Sequence, residues 1–508
     1  MAIKSFKILT IFTFNLILIA STFASDPGSG AAAPDFQKAS AWTPELMTRC
    51  SKESNVDFHT SKPLLEEYSG DFGRLVKGDP AGVVFPTSAQ QVQSIIKFAN
   101  NNGLKLTLRA GGYSQGGQTI APSGAVTLDC SKMTQIAVPN LKEGTIKVQA
   151  GATWRQVISA TAMHKLIPVV TAFFPDLSVA GVLSVGGIGG NSHRFGTVNA
   201  NVKELEVITG EGEHIICNHV RADIFNSVLS GIGRCGVIIS ATLKLKKYKQ
   251  YVQTYYLTYD DYTSWFKAQG ALAKGENFDY LESFCHPVSL GLHPVANGWG
   301  PLTKWIYSIQ VSREFDSKEP LPFGCNPPIL EDSTSDTIDF RMRYGARAAM
   351  MKESGNWKLP HPWFEIILSP KDMAKALPTI LKMLPPVLVS DGLGYRVFGI
   401  NNIHTPRSFM GSEHDTLMGF AILPGGVPEA NFPAVLAALK DIDKYLKQFG
   451  GKRYISGFMG TSPDFSWQQY YGDYYQRWVA LKRQLDPNNV LGSVLLDGSK
   501  PAPLRSAL

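Results

Sequence analysis

The chain has 508 residues, 44% hydrophobic and 18% charged, with a formal net charge of +7. That length is more than one hydrophobic core supports, so several domains are expected, and the ordinary composition excludes general disorder. So mild a charge makes no case for a nucleic-acid partner, which would call for a concentrated basic stripe.

Residues 1–24 stand apart. Lys4 and Lys7 precede an apolar run from Ile8 to Ala20, and Thr22 and Ala24 are small residues at −3 and −1 of a cleavage point. This is the pattern of a signal peptide, which makes the mature protein secreted or periplasmic. No later stretch has 18 consecutive apolar residues, so no membrane span is expected after cleavage. Residues 25–74 form a lead-in that begins small and polar. The six cysteines, Cys50, Cys130, Cys217, Cys235, Cys285 and Cys325, contain no C-x-x-C pair, so no metal site is expected, and buried thiols and bridges both remain open.

From Pro80 the chain reads strand, helix, strand. Val83-Val84-Phe85 is extended. Ser88 is a helix N-cap with Gln91 completing a capping box, and Val92, Ile95, Ile96 and Ala99 share one helical face. Gly103 ends the helix, and Leu104 to Leu108 alternates as a strand. A glycine loop follows, RAGGYSQGGQ from Arg109 to Gln118. Gly112 to Gly116 fits G-x-S-x-G, the nucleophile elbow of serine hydrolases. That elbow needs a helix directly after its serine, whereas Ser114 is followed by glycines, a proline and a strand, so Ser114 is not read as a nucleophile. A glycine loop after a strand instead lets successive backbone N–H groups approach an anion such as pyrophosphate. A second cluster, TAFFPDLSVAGVLSVGGIGGNSHRFG from Thr171 to Gly196, carries Gly181, Gly186, Gly187, Gly189, Gly190 and Gly196. Two such clusters favour one extended ligand tracked by backbone. Val202 to Thr209 and Ile215 to Cys217 then read as a hairpin, and GIGRCGVIISATLKLK from Gly231 is glycine-rich before turning strand-like.

Taken in order, these stretches resemble the FAD-binding domain of the vanillyl-alcohol oxidase superfamily, and within it the cytokinin dehydrogenases. Those enzymes show R-G-H-G-H-S-x-N-G-Q where this chain has RAGGYSQGGQ. Their V-G-G-x-L-S-x-x-G-I-x-G corresponds to VAGVLSVGGIGG, D-Y-V-E-G to Asp279-Tyr280-Leu281-Glu282-Ser283, H-P-W-L-N-L to His361-Pro362-Trp363-Phe364-Glu365-Ile366, and F-D-P-x-x-I-L to Leu485-Asp486-Pro487-Asn488-Asn489-Val490-Leu491. The resemblance implies an α+β fold. It comprises a two-subdomain FAD-binding domain of PCMH type over 75–247, a substrate domain over 248–450 with an antiparallel sheet flanked by helices, and a return to the FAD domain over 451–508. It also implies FAD contacts at Arg109, Ala110, Gly111, Gly112, Tyr113, Ser114, Gln118, Ser178, Gly181, Ser184, Gly187, Ile188, Ile238 and Tyr454.

Two departures alter the expected chemistry. Many relatives attach the flavin through a histidine where this chain has Tyr113, and the position of a second, cysteine linkage is about Phe174, so FAD is expected to be noncovalent. The family's catalytic aspartate aligns with Phe173, and the nearest acid is Asp176. Asp176 is either a base shifted to the flavin or a turn residue capping backbone N–H groups. Glu282 matches the family glutamate at the substrate slot, against an exposed strand acid. The implied reaction oxidises the secondary amine of an N6-substituted adenine, with a separate electron acceptor. A sugar or alcohol oxidase of the same superfamily and a catalytically impaired flavin-binding protein are the alternatives.

Overall fold

A computed structural model describes residues 40–295, 298–317, 329–383, 394–406, 409, 414–459 and 466–497. The signal peptide, the first part of the lead-in and Cys325 lie outside the described residues.

The fold is α+β and rests on three sheets. The first orders its strands Phe58–His59, Gly82–Val84, Val126–Asp129, Leu106–Arg109, with the last three parallel. Parallel neighbours need a crossover, and helix Ala89–Asn101 supplies it. Its expected N-cap is present, with Ser88 Oγ accepting from the Gln91 N–H at 3.3 Å. The reciprocal half of the capping box lands one residue earlier: Gln91 Oε1 accepts from the Thr87 N–H at 2.7 Å. Gly103 takes φ +63, the left-handed turn that frees the chain to re-enter the sheet.

The second sheet is antiparallel, ordered Thr145–Gln149, Val237–Lys247, Val202–Ile208, His214–Asn218, with Leu166–Pro168 also pairing on Val237–Lys247. The two sheets share one core, in which Val92, Ile95, Ile96, Leu106, Trp154, Leu205 and Ile239 are buried. Cys50, Cys130, Cys217, Cys235 and Cys285 are buried free thiols.

The third sheet has eight antiparallel strands, with Phe364–Leu368, Thr416–Leu423, Gly394–Asn401 and Tyr280–Val295 consecutive in it. Side chains alternate between its faces. Phe364, Ile366, Phe420 and Ile422 pack under helices Pro370–Met383 and Phe432–Leu446. The other face, with Glu365, Ala421, Leu423, Arg396 and Phe398, turns toward the glycine clusters. Residues 485–497 return to the first sheet, where the Leu106 N–H donates to Val490 O at 2.8 Å and the Gly492 N–H to Leu106 O at 3.0 Å. Asp486 fixes that return by accepting from the N–H groups of Val490 and Leu491 and from Lys482. Among the described residues no helix is long and apolar enough to cross a membrane.

Candidate active site

The glycine clusters and the free face of the third sheet enclose a single cavity of about 1530 Å³, open mouth included. All fourteen residues expected to contact FAD line it. The loop from Arg109 enters at the end of a parallel strand, where the chain leaves the first sheet. Gly111 donates its N–H to Ser178 Oγ at 3.0 Å, which ties the first cluster to the second. Gln118 is buried and accepts from the Gly116 N–H while donating to Ile455 O and Gly457 O, at 2.6 and 3.2 Å. Tyr454 Oη accepts from the Gly187 N–H at 3.0 Å.

These residues fit FAD. The N–H groups of Gly112, Tyr113 and Ser114 donate to no acceptor among the described residues, as a pyrophosphate nest requires. Gly112 has φ +70 and lies so close over Arg109 that a Cβ would come within 2.6 Å of its Nη2. The guanidinium below is held by Asp129 at 3.9 Å and by the Tyr68 ring, yet its Nη1 is buried without a partner. Backbone donors, a cation and glycine clearance together suit a diphosphate between two apolar ends.

Beyond the second cluster the cavity becomes an aromatic chamber. Phe173 meets Tyr344 edge-on at 5.6 Å, and Phe174 stacks on Trp363 at 5.6 Å. Tyr113 lies against Phe72, whose ring also contacts His361 and Trp363. His361 is structural as well: its Nδ1 lies 2.7 Å from Leu359 O, and burial pushes its pKa down to about 4. His193 is likewise pushed down to about 4 by burial.

The two acids expected to be catalytic are placed differently. Asp176 does not line the cavity. Its carboxylate is clamped by Arg155, at 2.6 Å to Nε and 3.2 Å to Nη2, so it neither caps a turn nor stands in the chamber. Its charge reaches inward only as a contribution, after burial, to the raised pKa of Tyr113. Glu282 is not an exposed strand acid: it is 3% exposed and receives Arg343, the Tyr344 hydroxyl and, at 3.6 Å, Arg396. It touches the chamber through Tyr344 and Arg396, which line it.

Among the polar lining residues that escaped the sequence reading are Tyr344, Arg396 and Glu365. Nothing local marks Tyr344 or Arg396. Glu365 had a signal, since it replaces the asparagine of H-P-W-L-N-L.

Comparison with known proteins agrees with this arrangement. Residues 80–218 match the FAD binding domain family, and residues 332–494 match the family described as cytokinin dehydrogenase 1, FAD and cytokinin binding. The chain is 27% identical over 443 residues to an uncharacterized oxidoreductase in the fasciation locus of Rhodococcoides fascians, covering 85% of this chain and 97% of the relative. It is 28% identical over 351 residues to cytokinin dehydrogenase 2 of Arabidopsis thaliana, covering 62% and 68%. It is 27% identical over 499 residues to cytokinin dehydrogenase 7 of Oryza sativa subsp. japonica, covering 86% and 90%. The chain is therefore an FAD-dependent oxidoreductase, a cytokinin dehydrogenase-like protein with a PCMH-type FAD-binding domain.

Proposed function

We propose that this protein oxidises the secondary amine of an N6-substituted adenine to an imine, which water then splits, and that it holds its FAD noncovalently in a secreted or periplasmic compartment. The observation that carries the reading is the continuity of one cavity from the diphosphate nest at Arg109–Ser114 into the chamber of Phe173, Phe174, Trp363 and Phe398. A flat heteroaromatic ring gains from such walls both by burial and by offset stacking. The relatives named cytokinin dehydrogenase support the substrate class.

When bound, FAD would supply the two-electron acceptor for the C–H bond next to the nitrogen. The chain's own residues position and exclude. The N–H groups of the first loop and Arg109 would hold the diphosphate. Trp363 and Phe174 form one stacked wall, and Phe173 and Tyr344 form another. Tyr113 stands where relatives carry the linking histidine; its phenol stays protonated because burial raises its pKa, so the flavin has no nucleophile there.

Two measurements test this. Acid precipitation of the purified protein should leave the flavin absorbance in the supernatant; colour in the pellet would establish a covalent link. Isopentenyladenine should bleach the bound flavin anaerobically, whereas simple sugars should not. Bleaching by sugars alone would favour the sugar or alcohol oxidase. Bound flavin that neither class reduces would favour a binding protein that has lost catalysis, the reading that Phe173 and the Arg155 clamp on Asp176 support.

A further inference from the structure

Phe173 and the clamped Asp176 leave open which group takes the proton from the substrate nitrogen. The free face of the third sheet offers one. Glu365 and Arg396 both pair with Ala421 on the strand between them, so they lie in one row across the sheet, about 10 Å apart at two strand spacings. The small Ala421 keeps the space between them open. Glu365 and Arg396 both line the chamber, and Trp363, two residues before Glu365, forms its stacked wall.

We propose that Glu365 is the proton-accepting base of this site, in place of an acid from the second glycine cluster. This rests on the amine-oxidation reading above. As the substrate is oxidised, its N–H bond breaks and the proton passes to a Glu365 carboxylate oxygen. The hydrogen of the neighbouring C–H bond would leave with its electron pair, which bound FAD would accept, and the nitrogen lone pair closes the C=N bond. Water then hydrolyses the imine to an aldehyde and the adenine amine.

The carboxylate is suited to this in three ways. It accepts no hydrogen bond from the described residues, so its lone pairs are free for a ligand. It is half-buried and lines the chamber, with the apolar core and helices covering the opposite face of its sheet. Opposing influences bring its proton affinity near neutrality: burial pushes its pKa up, Arg396 and Arg453 pull it down, and the balance stands at about 7. The other charged or titratable groups around the chamber do not compete. Tyr344, Tyr454 and Tyr113 are all pushed up by burial. Glu282 is already engaged by Arg343, Tyr344 and Arg396, and Asp443 faces Arg453 at 3.5 Å.

The test uses the FAD-loaded full-length protein in two measurements. First, the visible absorbance of the bound flavin is titrated with pH, without substrate. A carboxylate on the chamber floor should shift the flavin band with a midpoint near 7, and E365Q should abolish that shift. Second, the rate of anaerobic flavin bleaching by isopentenyladenine should rise with pH through the same midpoint. E365Q should lower the plateau about 100-fold to 10 000-fold, flatten the profile and leave the ligand affinity nearly unchanged, while E365D should restore part of the rate and the pH dependence. An unchanged rate and profile in E365Q would overturn the proposal, as would loss of the pH dependence in D176N instead. If wild type is never bleached by any N6-substituted adenine, the amine-oxidation reading fails, and the base assignment falls with it whatever the absorbance titration gives. If E365Q does not bind flavin, a wild-type absorbance that fails to titrate would overturn the proposal on its own.

Discussion

Gly112 is the residue on which the diphosphate loop turns. Its φ of +70 strains any alanine there, and a Cβ would come within 2.6 Å of Arg109 Nη2, so the guanidinium that faces the diphosphate would have to shift. Gly112→Ala should cost about 1 kcal/mol or more in the FAD-bound conformation, a rise in the FAD dissociation constant of about fivefold or more. Gly70→Ala is the control: that glycine has negative φ and open space around its Cα, so flavin titration should give the wild-type constant. Glu365 yields a stability prediction independent of catalysis. Its folded pKa is raised from 4.5 to about 7, so the native state binds its proton more tightly than the unfolded chain. The stability this residue contributes is therefore complete below pH 4.5 and lost as pH rises toward 7. The melting temperature of E365Q minus that of wild type should grow across that window; a constant difference would mean that the carboxyl is not perturbed. This acid was within reach of the sequence, because it breaks a motif at a known place. Its significance was not, because the row it forms with Ala421 and Arg396 depends on strand register.

At the scale of elements, what was legible followed from local signals. Ser88, the apolar spacing of Val92 to Ala99 and Gly103 specify a helix and its ends within one short stretch, and the strands after Leu104 and Val202 follow from alternation. What was not legible depends on partners far along the chain. Glu282 alone reads as a surface acid. It is buried because strand Tyr280–Val295 brings it against Arg343 and Tyr344 on helix Thr337–Glu353 and Arg396 on strand Gly394–Asn401. Asp176 likewise reads as free until helix Trp154–Ala162 supplies Arg155. Removing Glu282 leaves two guanidinium groups without their shared anion, which costs about 3–5 kcal/mol in comparable buried pairs. E282L should lower the denaturant midpoint accordingly, and it should also weaken substrate binding, because Tyr344 and Arg396 lose the anchor that aims them at the chamber. E282Q, which keeps one acceptor oxygen but replaces the other with a donor and removes the charge, should fall between. Equal stability of E282L and wild type would show that the three elements are held together without this acid.

The molecule as a whole is built so that its cofactor site closes only when the chain is complete. Gln118 donates to the carbonyl of Ile455, 337 residues away, and Gly187 donates to Tyr454, 267 residues away. Leu106, at the base of the diphosphate loop, pairs with residues 490–492. The cavity therefore has walls from the first, second and third sheets, and bound FAD would contact all of them at once. A ligand that binds only the folded state stabilises it by RT ln(1 + [L]/Kd), about 2.7 kcal/mol at a hundredfold excess over Kd. Because the expected flavin is noncovalent, that contribution is removable. Stripping FAD should lower the melting temperature, and adding FAD back should raise it with the logarithm of its concentration. The loss should extend beyond the first two sheets: hydrogen exchange in strands Phe364–Leu368 and Thr416–Leu423 should also accelerate in the apo protein, since Glu365, Ala421 and Leu423 line the same cavity. Faster exchange confined to residues 106–246 would mean instead that the third sheet folds without support from the cofactor, and that the chamber is preformed before flavin arrives.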